Sequence, residues 1–455
     1  MTFVQQKKRV KVAVGHDHGN TETADYVIYA PELPAAGRVR PLQAISLPPG
    51  KIVQKTFPSA VAEGSKEELE SLRVGAGRTA QSKAEELVIS VNGGPEQFVG
   101  TLAQRQARQA FTGRGDIHRY ESERSLITLL AGLGSLIEEE EIEAWVVTGL
   151  PVETFQKGKA IRRGAKDTLE GDHRFVLNGG KERHAHIHVV MVLMEGAGGL
   201  IAQGLDGDDV RQAILDMGGR TTDGVATEGQ DPIRHLCGTL ARGVEDSKEM
   251  LSRFVENDKR YKRALRAEET EAILRTHIRL KASLGLLCQK IYDQPLSNLT
   301  SDQFEQVLRT QQTNSARALA EQLKITEADI RVLAQESLLQ DLCLLDLEVR
   351  YRTLHARGTE ILPIDLYTWT EKSLRSVGKD IASFASQLWR IGESGEVATD
   401  NALVLAAGGG AYYYLEDVRE LIPEIKPCES PELANAAGYA NFAYSALLEE
   451  MGILV

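Results

Sequence analysis

Cysteine is scarce. The 455 residues hold four, Cys237, Cys288, Cys343 and Cys428, far apart and with no CxxC spacing. That pattern argues against a zinc ribbon or a disulfide framework and suits a reducing compartment, expected here to be the cytoplasm. Positive charge is also short: 53 Lys and Arg against 65 Asp and Glu leave a net charge of −12. Such a balance argues against direct DNA binding, and the small basic loop of Arg162, Arg163 and Lys166 does not reverse it. No apolar run approaches the length of a membrane-spanning helix, so no membrane contact is expected. The first residues, "MTFVQQKKRVKVAVG", run into a strand pattern with no signal-peptide core. What is present is ordinary for a globular chain, 42% hydrophobic and 26% charged, with length for two or more domains.

Hydropathy patterning predicts an α/β protein. "RVKVAVG" (9–15) and "DYVIYA" (25–30) form a hairpin around the polar turn "HDHGN". A second hairpin is expected over 86–100, with Gly93-Gly94 as its turn. "SERSLITLLAGLGSLI" (122–137) has helical spacing, and "IEEEEIEA" (137–144) is expected to be its solvated end. "AWVVTGLP" (144–151) reads as a buried strand. "HAHIHVVMVLMEGAGGLIAQGL" runs from a strand into a helix beginning near Gly196. From about 233 to 395 the chain is charged and largely helical. Thr326 to Asp329 resembles a capping box, and Asn298 to Ser301 a break between helices. Residues 401–421 return to strand, triple-glycine turn and helix.

One stretch carries chemistry on its own terms. In "AILDMGGRTTDGVA" (213–226) an apolar strand ends in Asp216, followed at once by Gly218 and Gly219. Paired glycines allow a tight turn whose backbone N–H groups cradle phosphate oxygens. An aspartate beside phosphates is tolerable with a cation between them, and Mg²⁺ is the usual one. The alternative is a glycine-rich hairpin turn without a ligand. Asp17, in "HDHGN", begins a second strand–Asp–x–Gly turn, so the chain has two such halves.

The order of these pieces resembles the actin-like ATPases, nearest to the ParM/StbA and archaeal-actin branch. The stretches that carry the likeness are "DHGNTETADYV", "WVVTGLP" with Thr148-Gly149-Leu150-Pro151, "VMVLMEGAGGL", "LDMGGRTTDGV", "VLAAGGGAYYY" and "ANAAGYANFA", with weaker support from "TFPSAV" and "FVGTLA". The resemblance implies an actin-like fold: two ribonuclease-H-like domains around a nucleotide cleft, with an enlarged helical subdomain. It places domain I at 1–190 plus a C-terminal helix at 431–455. Domain II takes 191–430, with a helical insertion at about 240–395. It implies that Asp17, Gly19, Asn20 and Thr21 form the first phosphate loop, and Gly218, Gly219 and Thr221 the second. Asp17 and Asp216 would hold Mg²⁺, Glu195 would act on the attacking water, and Gly408, Gly409 and Gly410 would face the adenosine. Tyr413 is expected either to stack on adenine or to pack in the core.

The implied function is a nucleotide-dependent filament, using ATP with GTP as the alternative, in plasmid or DNA segregation through a DNA-binding adaptor. A sugar or acetate kinase, a DnaK-type ATPase and a non-hydrolysing structural filament share the fold and stay open. Against the chaperone stands the absence of a peptide-binding domain after "EEMGILV". One position departs from the family: its phosphate-reaching Lys is replaced by Ala24. Arg220 is either its substitute or a solvent-facing residue. His184, His186 and His188 alternate and share a strand face, expected to be polar rather than metal-binding. His16 and His18 flank Asp17, and adjacent strand residues face opposite ways, so the three are not expected to share a metal.

Overall fold

The computed structural model describes residues 9–31, 50–71, 86–106, 118–204, 211–229, 231–261, 263–267, 269–278, 355–356, 359–361, 363–389 and 403–453. The expected capping box at 326–329, the break at 298–301 and the segment 337–349, whose apolar residues also read as a helical stripe, lie outside the described residues. By its contacts the chain divides into two compact units. The first comprises 1–243, 381–411 and 415–455, the second 244–380 and 412–414.

The first unit contains two sheets. The larger is built from β1 (Val10–His18), β2 (Glu22–Tyr29), β3 (Ile52–Pro58), β4 (Val61–Glu63), β5 (Leu87–Val91), β6 (Gln97–Val99), β7 (Glu141–Leu150), β8 (Gly171–Leu177) and β9 (Glu182–Met194). Its order is β3-β2-β1-β7-β9-β8-β5-β6-β4, with β1, β7 and β9 parallel at its centre. The smaller sheet comprises β10 (Arg211–Met217), β11 (Thr222–Glu228), β12 (Asp231–Pro232) and β13 (Gly238–Leu240). It continues with two strands from the later chain, β16 (Leu403–Ala407) and β17 (Lys426–Pro427), numbered after the short β14 (His355–Ala356) and β15 (Thr359–Glu360) hairpin. Each sheet therefore repeats one scheme: an antiparallel hairpin, β1–β2 or β10–β11, whose first strand continues into parallel neighbours.

Outer helices α1 (Lys66–Ser71) and α2 (Thr101–Gln106) bury Leu69 and Leu102 against Phe98. The central strands are buried on both faces, and their alternation assigns the faces. Val12 and Val14 of β1, with Ile142 and Val146 of β7, meet α3 (Glu123–Leu136) through Leu126, Ile127, Leu130 and Leu133. Burying each such Leu or Ile contributes about 1.5–3 kcal/mol. Ala13, Trp145 and Val147 point the other way. They meet Tyr439, Ala440 and Ala443 of a late helix, α10 (Ala434–Glu450). Along the chain, α3 and α10 are separated by α4 (Val152–Lys157), α5 (Lys159–Leu169), α6 (Ala197–Ala202), α7 (Val244–Asn257), α8 (Pro363–Trp389) and α9 (Ala411–Arg419). Helix α10 crosses α6 through glycine: a Cβ at Gly438 would collide with the carbonyl oxygen of Gly198. Only glycine permits backbone to approach backbone this closely.

Three local expectations change. The first strand does not stop at Gly15 but continues through His18, because its polar tail has partners. His16 Nδ1 lies 2.6 Å from Asp25 Oδ1, both fully buried, and His18 Nδ1 lies 3.1 Å from Thr128 Oγ1. The acidic run 137–144 is not a helix end. Helix α3 stops at Leu136, Ile137 is buried, and β7 begins at Glu141. Glu141 and Glu143 alternate with buried Ile142 and Ala144, and they face Arg9, Lys11, His184 and His188 on the neighbouring strands. Strand β9 belongs to the larger sheet through Met194, so a boundary at 190 falls inside it.

The second unit packs Leu251 and Val255 of α7, Tyr261, and Leu366, Leu374 and Val377 of α8 in its interior. Tyr261 Oη donates to Asp365 at 2.9 Å, and His277 Nε2 lies 2.8 Å from Glu371.

Candidate functional site

The two hairpins bring their first strands to the same place. Asp17 is the penultimate residue of β1 and lies opposite Ala24; Asp216 is the penultimate residue of β10 and lies opposite Asp223. The turns that follow, Gly19-Asn20-Thr21 and Gly218 to Thr221, touch: a Cβ on Gly219 would strike Thr21 Oγ1. That hydroxyl is buried without a hydrogen-bond partner. Beside the second turn runs the third glycine stretch. Gly410 N donates to Met217 O at 2.7 Å, and Gly408 N to Pro431 O at 2.8 Å. Glu195 follows β9 directly and is 6% exposed.

Four carboxylates gather here, and each is perturbed. Burial, then repulsion from Asp216, pushes Asp17 up to about 7, even though Asn435 and Arg119 oppose the shift. Burial pushes Asp216 up to about 6 against a hydrogen bond from Asn435. Asp223 rises to about 7, again chiefly through burial, although Thr239 and the Val152 N–H hydrogen-bond to it. Glu195 is held well above the ordinary carboxylate range by burial and by Asp223 and Asp17. Beyond Arg119, which reaches Asp17 and Glu195, these buried carboxylates have no counter-charge among the described residues. A divalent oxygen-seeking ion would supply it, and Asp17 and Asp216 could hold one with water and phosphate completing its shell. The unpartnered Thr21 hydroxyl and the touching glycine turns fit an anion bearing that ion.

Three residues that sequence reasoning passed over organise the acids. Asn435, 3% exposed, donates from Nδ2 to Asp216 Oδ2 at 2.7 Å and also hydrogen-bonds Asp17. Its Oδ1 accepts from the N–H groups of Gly196 (3.0 Å) and Gly199 (3.2 Å) at the start of α6, next to Glu195. Tyr120 Oη donates to Glu195 Oε1 at 3.0 Å, and Arg119 hydrogen-bonds Tyr120 Oη and the Asn20 side chain. Asn435 sat in a quoted motif, "ANAAGYANFA". Nothing in "IHRYE" marks Arg119 and Tyr120 in the sequence.

A family model described as the N-terminal domain of actin-like proteins matches residues 45–198. Among solved structures, the actin-like protein Alp7A is similar over 98% of both chains, with 15% identity and a TM-score of 0.58. The fold of this chain is actin-like. A 15-stranded ParM filament from Clostridium botulinum is similar over 96% of this chain and 99% of that one, at 18% identity and a TM-score of 0.57. The archaeal actin homologue Ta0583, in complex with ADP, is similar over 95% and 99%, at 17% identity and a TM-score of 0.55. No curated protein sequence matches.

The remaining candidates of this actin-like chain lie as follows. Tyr413 is in the second unit, where its neighbour Tyr414 is buried and lies 2.8 Å from Ser247 Oγ. Arg220 is half-buried. His184, His186 and His188 share the half-buried face of β9, each beside a carboxylate: Glu141, Asp172 and Glu143 respectively. Among the described residues, no group of three or more His, Cys, Asp or Glu side chains is arranged to hold a metal by itself. No described helix is long and apolar enough to cross a membrane.

The Asn435 tie makes a first prediction. Asn435→Ala strands the N–H groups of Gly196 and Gly199 and releases Asp216. A buried polar group left unpaired costs about 1–3 kcal/mol. Denaturant melts should show a loss in that range. An unchanged midpoint would rule out the tie as a structural element.

Proposed function

We propose that this chain binds ATP with Mg²⁺ between its two glycine turns, hydrolyses it, and couples that cycle to assembly into filaments. The observation that carries the reading is the convergence of Asp17, Asp216 and Glu195, from three separate strand ends, around touching turns with a counter-charge missing. The adenine choice is supported by the ADP complex of Ta0583, and self-assembly by the ParM filament. GTP is the alternative nucleotide. On this reading Gly19, Asn20, Thr21, Gly218, Gly219 and Thr221 line the phosphates, and Gly408, Gly409 and Gly410 lie against the adenosine. Tyr413 is offered as the stacking residue. The domain division of 1–190 with 431–455, and 191–430 with the helical insertion, is kept with its first boundary moved to the end of β9 at Met194. The cellular role is segregation of DNA in the cytoplasm through an adaptor protein.

Glu195 holds the attacking water. A bond forms between the water oxygen and the terminal phosphorus, the bond from that phosphorus to the ADP oxygen breaks, and the water proton passes to the Glu195 carboxylate. Magnesium, when bound, supplies charge neutralisation for the phosphates, held by Asp17 and Asp216. Such reactions depend on positioning and electrostatics more than on covalent chemistry.

Calorimetric titration tests the site. Asp216→Ala should lose at least about tenfold in Mg-ATP affinity, equal to 1.4 kcal/mol. Normal affinity and turnover in this variant would remove the assignment. Sedimentation with ATP, GTP, ADP and no nucleotide tests the filament, which should pellet only with a triphosphate.

A further inference from the structure

Resting on that nucleotide reading, we propose that Arg119 is the cation that meets the terminal phosphate, and that Tyr120 beside it is a positioning residue for Glu195. Arg119 is 4% exposed, yet it makes no ion pair with any described residue. Its partners are neutral: the Asn20 side-chain oxygen, the His18 carbonyl at 3.4 Å and the Tyr120 hydroxyl. Its Nε is buried with no hydrogen-bond partner at all. A guanidinium carries five N–H donors, so three bonds leave two of them for another acceptor.

A buried cation bonded to no carboxylate is costly, and such a group persists where a ligand completes it. The missing partner is an anion, and its position follows from the neighbours. Asn20 belongs to the first glycine turn, while Tyr120 leads to Glu195 Oε1 at 3.0 Å. The guanidinium also lies within electrostatic reach of both Asp17 and Glu195. A single side chain thus joins the turn that cradles phosphate to the carboxyl that handles water. The terminal phosphate is the part of the nucleotide that must lie between those two. Ala24, opposite Asp17 and buried, contributes no charge there. Arg119 reaches the site from just before α3, a different element altogether. The Tyr120 ring, 4.4 Å from the Arg119 guanidinium carbon, fixes its plane.

The test is the discrimination between triphosphate and diphosphate. Arg119→Gln should bind a non-hydrolysable ATP analogue about tenfold more weakly, with ADP affinity changed by less than about twofold. Arg119→Lys keeps the charge, should melt with the wild type, and should recover part of the preference; if Arg119→Gln does not fold, it carries the test through an intermediate preference. Tyr120→Phe should lower kcat about tenfold while KM stays constant, because Glu195 loses its donor, whereas Arg119, which loses one acceptor, stays held by Asn20 and the His18 carbonyl. Equal losses for the analogue and ADP, or no loss for either, would overturn the role of Arg119. A Tyr120→Phe effect confined to KM would overturn the role of Tyr120. Wild-type protein that binds no nucleotide would overturn the nucleotide reading and this assignment together. Wild-type binding with an unaltered preference in Arg119→Gln overturns only the latter.

Discussion

The Glu195→Gln protein is expected to bind ATP and pellet with it, yet release phosphate at about a hundredth of the wild-type rate or less. The substitution keeps the shape of the side chain and an oxygen to accept the Tyr120 hydroxyl, at 3.0 Å in the native protein. It removes the group that takes a proton from water. Burial and the surrounding acids hold the Glu195 carboxyl well above its ordinary range, so the carboxylate, once formed, is an unusually strong base. Filaments of the variant should therefore outlast those of the wild type. Phosphate release measured on assembled protein decides the matter: wild-type rates would remove Glu195 from the chemistry.

The second large effect concerns the fold. Gly438→Val should unfold the protein or lower its melting temperature by many degrees. Overpacking in a core ordinarily costs about 1–3 kcal/mol, because neighbouring side chains can shift. Here the obstacle is the Gly198 carbonyl, and behind it the backbone of Gly198 itself. Backbone at a helix crossing has little room to move, so the cost exceeds that range. A milder Gly438→Ala should push α6 away from α10 and strain the Asn435 bonds to Gly196 and Gly199, weakening nucleotide binding even where the protein folds. Gly158→Ala is the matched control. A Cβ there meets nothing nearer than the Ala160 nitrogen at 3.9 Å, so its melting curve should overlay the wild type.

Strand ends that stop in Asp-x-Gly were visible in the sequence because they join two local signals, an apolar run and a glycine turn. Both signals lie within a few residues of Asp17 and of Asp216. The helix of 122–137 and the two hairpins followed from the same short-range patterns. What binds the acids together was not visible, because it acts over distance. Asn435 bonds to Asp216 across 219 residues, and Arg119 to Asn20 across 99. No periodicity encodes such pairs. The run of glutamates at 137–144 misled for a related reason. Four consecutive acids look solvated as a helix end, yet in a strand alternate glutamates can meet Arg9, Lys11 and histidines on adjacent strands. The first strand ran longer than its apolar residues because His16 and His18 each find a buried partner, Asp25 and Thr128.

The long reach of Asn435 has a consequence for the order in which the protein is made. Synthesis from residue 1 delivers Asp17, Glu195, Asp216 and Asp223 within the first half of the chain, whereas Asn435 emerges much later. Until then α6 lacks its Asn435 clamp, and Asp216 lacks the hydrogen bond that holds it. On the nucleotide reading proposed above, a growing polypeptide whose α10 has not yet emerged is expected to hold no nucleotide. A ribosome-bound chain halted before residue 435 should fail to retain a fluorescent ATP analogue, whereas one halted well beyond the α10 helix, with that helix clear of the exit tunnel, should retain it.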